Sequence, residues 1–296
     1  MHAGQRIISK EIDGFNMILN LDDGGISRAL YQDGYRELAF MQILKETVKP
    51  GMICIDLGAN IGFTTLPMLR GTGPSGHVYA IEPDPRSYAL LRANIEQNQY
   101  SNCDFTQCII SSETTEKTFW LANAPNLSSV QRTKNSSKEM KIDSFTLEDF
   151  LLPREYPNLI KMDVEGHEVK ILESGLEYFT KNDGTTHILL EVHPQFYNED
   201  NDFANILQEY VDIGFKPKYV VSTPIYEPDL FREAGYEPTH RIDTDGYQRG
   251  IYENISSEDF IRFSCYEHEQ PFFRNSREGA RVATKIVRSC LFSREM

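Results

Sequence analysis

The stretch from Ile53 to Phe63, ICIDLGANIGF, decides the fold. Apolar residues suited to a buried strand surround Asp56, and glycines follow at 58 and 62 with Asn60 between them. Glycines that leave a strand and open a helix let a ligand lie against the backbone. In open α/β sheets that ligand sits beyond the carboxyl ends of the strands. A nicotinamide dinucleotide fingerprint is GxGxxG, whose second glycine lets the backbone approach a pyrophosphate. Here the order is DxGxNxG, with a side chain where a pyrophosphate needs none, so the dinucleotide reading loses ground.

The next strand ends IEP, which places Glu82 twenty positions after Gly62. At that distance a carboxylate accepts both hydroxyls of a ribose. NAD and S-adenosylmethionine both carry such a ribose, so Glu82 indicates a nucleoside rather than one cofactor. Asp56 helps to separate them, because a carboxylate at the strand end repels a pyrophosphate and favours an ammonium or sulfonium.

Outward from this loop, strands and helices alternate. Tyr35 to Val48 has apolar residues at helical spacing, stopped by Pro50 and Gly51. GFTTLPMLR reads as a helix, HVYAIEP as a second strand, and DPRSYALLRANIEQN as a helix with an aspartate cap and Pro85 in its first turn. CDFTQCII, LIKMDV, HILLEVHP and KPKYVVS read as further strands, with EVKILESGLEYF and FANILQEYVDIG as helices between them. Strands separated by helices imply right-handed crossovers and a mostly parallel sheet covered on both faces, a doubly wound α/β fold. Residues 1–30 read as a small hairpin or cap punctuated at Asp22 to Gly25, and RGIYENI as a last strand.

A second cluster of polar residues gathers on the same edge. KMDVEGHEVKILESG places Asp163 at a strand's carboxyl end, with Glu165 and Glu168 in the first turn of a helix, where acids are favoured by the dipole. A buried pair of Asp163 with Lys161 is the bland alternative. LLEVHP brings Glu191 and His193 towards that edge, and a pleat period of two puts both on one face. His193 is the first choice for a general base, since an imidazole needs little tuning to accept a proton near neutral pH; a structural histidine is the competing reading. Asp163, Glu191 and His193 are also ligand types for a divalent cation, but no spacing rule enforces one, and a metal is not expected.

Composition narrows the partners. The formal charge of −14 over 296 residues argues against broad binding to phosphate backbones and favours small acceptors. Five cysteines without a CxxC, two of them inside apolar runs, read as reduced thiols in a reducing compartment. With no signal-like or membrane-length apolar run, the expected location is cytoplasmic, and the NxS sequons at Asn126, Asn135 and Asn254 are set aside. The tail is basic: Arg274, Arg277, Arg281, Lys285, Arg288 and Arg294 face only Glu278 and Glu295. REGARVATKIVRSCLF looks like a basic amphipathic helix that docks on its own acidic domain, on another copy or partner, or on an anionic surface, or is simply solvated.

Taken in order, PGMICIDLGANIGF, GHVYAIEPDP with LLRANIEQN, KIDSFTLEDF, LIKMDVEGHEVKILESG and LLEVHP, with the entry segment ISRALYQDGYRELAF, resemble the FkbM-type S-adenosylmethionine-dependent methyltransferases. The resemblance covers roughly residues 25 to 222. It implies a class I methyltransferase fold, with a seven-stranded sheet whose last strand is antiparallel. It also implies methyl transfer to a hydroxyl of a sugar, polyketide or other natural product. By position, Asp56, Gly58, Asn60, Gly62 and Glu82 match the cofactor motif, and Asp163, Glu165, Gly166 and Glu168 match the DxEGxE signature. GYRE departs from the family's entry motif, so Tyr35 and Glu37 are acceptor-side candidates only by analogy.

The expected layout is a hairpin and helix cap over 1–50, a methyltransferase domain over 51–256, and a C-terminal extension with the basic tail over 257–296. The expected activity is O-methylation, with His193, Asp163 and Glu165 in catalysis. The rivals are an NAD-dependent oxidoreductase and a non-catalytic nucleoside-binding interaction protein. A nucleic-acid amino methyltransferase is disfavoured, because the fourth strand ends MDVEG rather than in an NPPY-like turn.

Overall fold

The computed structural model describes residues 6–125, 128–130, 132, 134, 136–224, 230–244, 246–265, 267–271 and 281–295. The sequons at Asn126 and Asn135, and Arg274, Arg277 and Glu278 of the tail, lie outside the described residues.

The chain opens with a hairpin, β1 (Ile7–Ile12) and β2 (Phe15–Asn20), then two helices, α1 (Ile26–Asp33) and α2 (Leu38–Thr47). Strand β3 (Ile53–Leu57) leads through α3 (Thr65–Thr72), β4 (His77–Ile81) and α4 (Pro85–Gln97) to β5 (Cys103–Thr106). β6 (Ile109–Ile110), β7 (Thr115–Ala122) and β8 (Ser136–Phe145) form a separate three-stranded sheet, followed by α5 (Leu147–Leu151). The alternation resumes with β9 (Leu159–Met162), α6 (Glu168–Lys181), β10 (Thr186–Glu191), α7 (Phe203–Asp212) and β11 (Lys216–Pro224). The chain then passes α8 (Leu230–Glu233), β12 (His240–Thr244), β13 (Tyr247–Tyr252), α9 (Ser257–Cys265), β14 (Glu267–Pro271), β15 (Arg281–Lys285) and β16 (Val287–Arg294).

The main sheet runs β12-β13-β11-β16-β10-β9-β3-β4-β5. β3 pairs in parallel with β4 and β9, β9 with β10, and β4 with β5. β16 is antiparallel to both β10 and β11. Numbered along the chain, the seven strands from β5 to β11 have the order 3-2-1-4-5-7-6 with the seventh reversed, which is the class I methyltransferase arrangement. Two antiparallel strands, β13 and β12, extend the edge beyond the expected seven.

Neighbouring residues on the central strands feed opposite cores. Ile55, Ile160, Leu190 and Cys290 join one apolar cluster, whereas Cys54, Leu159, Leu189 and Leu291 join the other. Both faces of the sheet are therefore covered, as its continuous apolar runs require. The second cluster includes Leu19, Leu30 and Leu44, so the N-terminal hairpin and helices complete one face of the core. The helix read from Asp84 and Pro85 starts as expected, with the Asp84 side chain accepting from Arg86 N–H. Among the described residues, no helix is long and apolar enough to cross a membrane.

Four expectations require correction. The helix expected from Tyr35 starts at Leu38, because Gly34 closes α1 at φ 75° and Glu37 sits at φ 50°; residues 35–37 become a linker between two helices. CDFTQCII splits, with Cys103–Thr106 on the main sheet and Ile109–Ile110 on the small one. The tail is not an amphipathic helix over Val287–Arg294 but the strand β16, inserted between β10 and β11. The reversed strand of the fold is therefore β16 rather than RGIYENI, which forms β13, and the main sheet takes in residues beyond 256.

Candidate active site

A cavity of about 380 Å³ opens at the carboxyl ends of β3, β4, β9 and β10, within the usual size range of small-molecule sites. One end is the glycine loop. Gly58 and Ala59 N–H donate to the Ile81 carbonyl at 3.1 and 2.9 Å, and Gly62 N–H donates to the Ala59 carbonyl at 2.8 Å. Asn60 N–H donates to Glu82 Oε2 at 2.8 Å, with Asn60 itself at φ 50°. These amides are satisfied by protein oxygens, so the loop is no phosphate cradle, and this argues against a pyrophosphate. Gly58 lies at φ +74°, and a Cβ there would collide with the Asp163 carbonyl oxygen, which makes glycine obligatory.

Glu82 follows β4 and lines the cavity. Its Oε1 accepts from Asp84 N–H at 2.8 Å, so the two backbone donors hold both oxygens in place. Burial pushes its carboxyl up to about 8, against the pull of those two amides.

Asp56 lies elsewhere than expected. It is fully buried beneath the loop and is not among the residues lining the cavity. Its Oδ1 pairs with Lys161 Nζ at 3.0 Å, and its Oδ2 accepts from the Thr64 and Thr65 hydroxyls at 2.9 and 2.7 Å. Lys161 also donates to the Gly58 carbonyl at 2.8 Å. The expectation that Asp56 meets the cofactor's cation is thus corrected: the network ties the loop, the start of α3 and β9 together. The bland pairing of Lys161 with Asp163 is replaced by this one.

The other end of the cavity is the carboxylate cluster. Asp163 follows β9 and is half-buried, with no side-chain hydrogen bond or ion pair among the described residues. Burial, followed by the negative charge of Glu191, pushes its carboxyl up to about 7. Glu165 sits at φ 51° with its side chain 38% exposed, and its Oε2 lies 3.7 Å from His193 Nε2. Glu168 opens α6, fully buried, and its Oε1 lies 2.8 Å from His193 Nδ1. A Cβ on Gly166, at φ +92°, would collide with the Phe196 ring.

Glu191 and His193 converge as the pleat argument expects, with Glu191 Oε1 3.3 Å from His193 Nε2. Both imidazole nitrogens therefore face carboxylates. Burial disfavours the imidazolium, but the hydrogen bonds to Glu168 and Glu191 outweigh it and raise the group to about 10. His193 is thus held on both sides, by Glu168 at Nδ1 and by Glu191 at Nε2.

Three further elements complete the walls, of which sequence reasoning offered only the one carrying Glu37, and that by analogy. Arg288 of β16 pairs with Glu191 and, at 2.9 Å, with Glu37. The linker between α1 and α2 contributes Arg36 and Glu37, whereas Tyr35 is 46% exposed and does not line the cavity. The insertion between β5 and β9 that forms the three-stranded sheet contributes Ile109, Phe119 and Val130. His167 also lines the cavity, with Nε2 2.8 Å from Ser111 Oγ, to which Lys117 donates at 2.9 Å. Burial lowers His167 to about 4, leaving it neutral.

The fit to S-adenosylmethionine is favourable at the loop: the Glu82 carboxylate that lines the cavity is held by two amides, and Gly58 lets the backbone close on Asp163. The family model described as Methyltransferase FkbM domain matches residues 56–217. A curated relative, protein-L-isoaspartate O-methyltransferase of Methanothrix thermoacetophila, is 34% identical over 55 residues. That match covers 19% of this chain and 26% of the relative, so the chain spans about a quarter of its length. Among solved structures, methyltransferase FkbM from Methylobacillus flagellatus is 15% identical, with 79% of this chain and 61% of that one covered at a TM-score of 0.41. Precorrin-6y C5,15-methyltransferase from Geobacter metallireducens is 9% identical, with 86% and 87% covered at a TM-score of 0.41.

Proposed function

The chain belongs to the FkbM methyltransferase family, and on that premise we propose that it transfers a methyl group from S-adenosylmethionine to a hydroxyl oxygen of a small acceptor such as a sugar or polyketide. The observation that carries this reading is one cavity lined at one end by Gly58, Asn60 and Glu82 and at the other by Asp163, Glu165, Glu191 and His193. S-adenosylmethionine supplies an electrophilic methyl group on a sulfonium. Glu82 accepts the ribose hydroxyls, and the loop from Gly58 to Gly62 holds the nucleoside against the backbone.

Acceptor and donor meeting in one walled cavity gain most from being held at near-attack distance. Glu165 receives the hydroxyl proton, because it is the most accessible carboxylate of the cluster beside His193. His193 acts as a positioning residue, pinned between Glu168 and Glu191. The aromatic and aliphatic wall from the insertion, with Phe119 and Val130, excludes water from the reacting groups.

Calorimetric titration tests the donor. S-adenosylhomocysteine binding that is lost in Glu82→Ala, with no NAD binding, is expected. NAD binding without S-adenosylhomocysteine binding reverses the reading in favour of an oxidoreductase.

A further inference from the structure

We propose that the acceptor end of the cavity is a divalent-cation site, with Asp163, Glu191 and His193 as ligands. One ligand atom from each lies within 4.8 Å of the other two. Small side-chain rotations bring such a trio to the roughly 2.0–2.2 Å metal–ligand distances of carboxylate and imidazole sites.

The histidine is built for the task. Glu168 is a buried carboxylate facing Nδ1 at 2.8 Å, and its oxygen also accepts from Gly166 N–H. A carboxylate at Nδ1 fixes the proton there and turns Nε2 towards Glu191 and Glu165, as in carboxylate–histidine–metal arrangements. Asp163 makes no side-chain hydrogen bond or ion pair among the described residues, and the second oxygen of fully buried Glu168 has no partner. The charge is also uneven. Glu37, Asp163, Glu165 and Glu191 line the cavity with Arg36 and Arg288, whose guanidiniums pair with Glu37 and Glu191, while Lys161 is paired with Asp56. These four carboxylates against two guanidiniums leave room for a divalent ion.

Two carboxylates and one imidazole suit a first-row divalent ion such as Mn²⁺. For its role the inference rests on the acceptor reading above: an acceptor oxygen bound at an open coordination position has its hydroxyl acidified beside Glu165. Binding itself is measurable without turnover.

The test is a titration of the chelator-stripped 296-residue chain with MnCl₂, following free Mn²⁺ by its electron paramagnetic resonance signal. One saturable ion per chain is expected. Asp163→Asn and His193→Ala should each weaken it by at least about tenfold, and Glu168→Gln, which leaves the ligands in place, by roughly 10–100-fold. Asp33→Asn, at an exposed carboxylate, should leave it unchanged. Circular dichroism and S-adenosylhomocysteine titration accompany each variant. Asp163→Asn removes no side-chain hydrogen bond or ion pair among the described residues, so it remains informative even if His193→Ala does not fold. No saturable site in the wild type, or an undiminished site in folded Asp163→Asn, overturns the proposal. S-adenosylhomocysteine binding without Mn²⁺ binding sinks the metal site alone. Mn²⁺ binding without S-adenosylhomocysteine binding sinks the methyltransferase reading instead.

Discussion

Replacing Lys161 with methionine removes the ammonium that pairs with Asp56. The aspartate remains fully buried beneath the loop, with Oδ2 on two hydroxyls and Oδ1 without its 3.0 Å partner. The Gly58 carbonyl loses its 2.8 Å donor as well. Breaking a buried pair from one side costs about 3–5 kcal/mol, because it leaves an uncompensated charge. In a chain of this size each kcal/mol lowers the melting point by roughly 2–4 °C, so a fall on the order of 10 °C is expected. Asp56→Asn, which keeps an acceptor for Thr64 and Thr65, should destabilise by a similar mechanism from the other side. The double variant should be less destabilised than the sum by about 2 kcal/mol, as expected for residues in contact. Urea unfolding followed by circular dichroism gives all four corners of the cycle. A cost below about 1 kcal/mol for Lys161→Met, with S-adenosylhomocysteine binding lost, would refute the reasoning, because Asp56 would then act as a cofactor contact.

Glu82 supplies a pH signature. A carboxyl near 8 must give up its proton to accept two ribose hydroxyls, so the association constant for S-adenosylhomocysteine should rise about tenfold per pH unit up to about 8 and level off above. Glu82→Gln should flatten the profile, and a pH-independent wild type would contradict the role. Without ligand the sign is opposite: Glu82 stabilises the fold fully below its ordinary value of 4.5, and that contribution is lost as pH rises through about 8. Glu165→Gln should slow methyl transfer by roughly 10²–10⁴ with little change in S-adenosylhomocysteine affinity; unchanged turnover by label uptake would remove Glu165 from the chemistry. A chain ending at Ile286 lacks the strand between β10 and β11 and should show no cooperative unfolding, whereas a stable truncated fold would show that β16 is dispensable.

The doubly wound fold was legible because its signals are local. The loop at 56–62, the cap at Asp84 and Pro85, and the alternation of apolar runs with helical periods each need only a short window. The tail was misread for a physical reason. β16 is buried on both faces, so it shows no period-two pattern, and its arginines suggested a solvated helix. Arg288 instead bonds to Glu37 across 251 positions, and Arg294 donates to the Phe179 carbonyl at 2.6 Å. Pairings of that range leave no trace in one sequence.

The candidate site shows the same division. Positions could be placed on the sheet edge from strand ends, and ligand atoms of Asp163, Glu191 and His193 do lie within 4.8 Å of one another. Orientation could not be read, so Asp56 was assigned to the ligand although it points beneath the loop. The buried carboxylate of Glu168, on a neighbouring helix, that faces His193 Nδ1 was likewise not legible as its partner. The chain break at Gly34 was available in the sequence; its consequence, Arg36 and Glu37 at the cavity, depended on where α1 and α2 pack.

The central claim is methyl transfer to oxygen. Incubating the protein with methyl-labelled S-adenosylmethionine and small-molecule extract, then locating the label by mass spectrometry, tests it directly. The account predicts a labelled methyl ether that is absent with Glu82→Ala. A label found only on nitrogen or carbon, or no labelled product while S-adenosylmethionine binds, would contradict it.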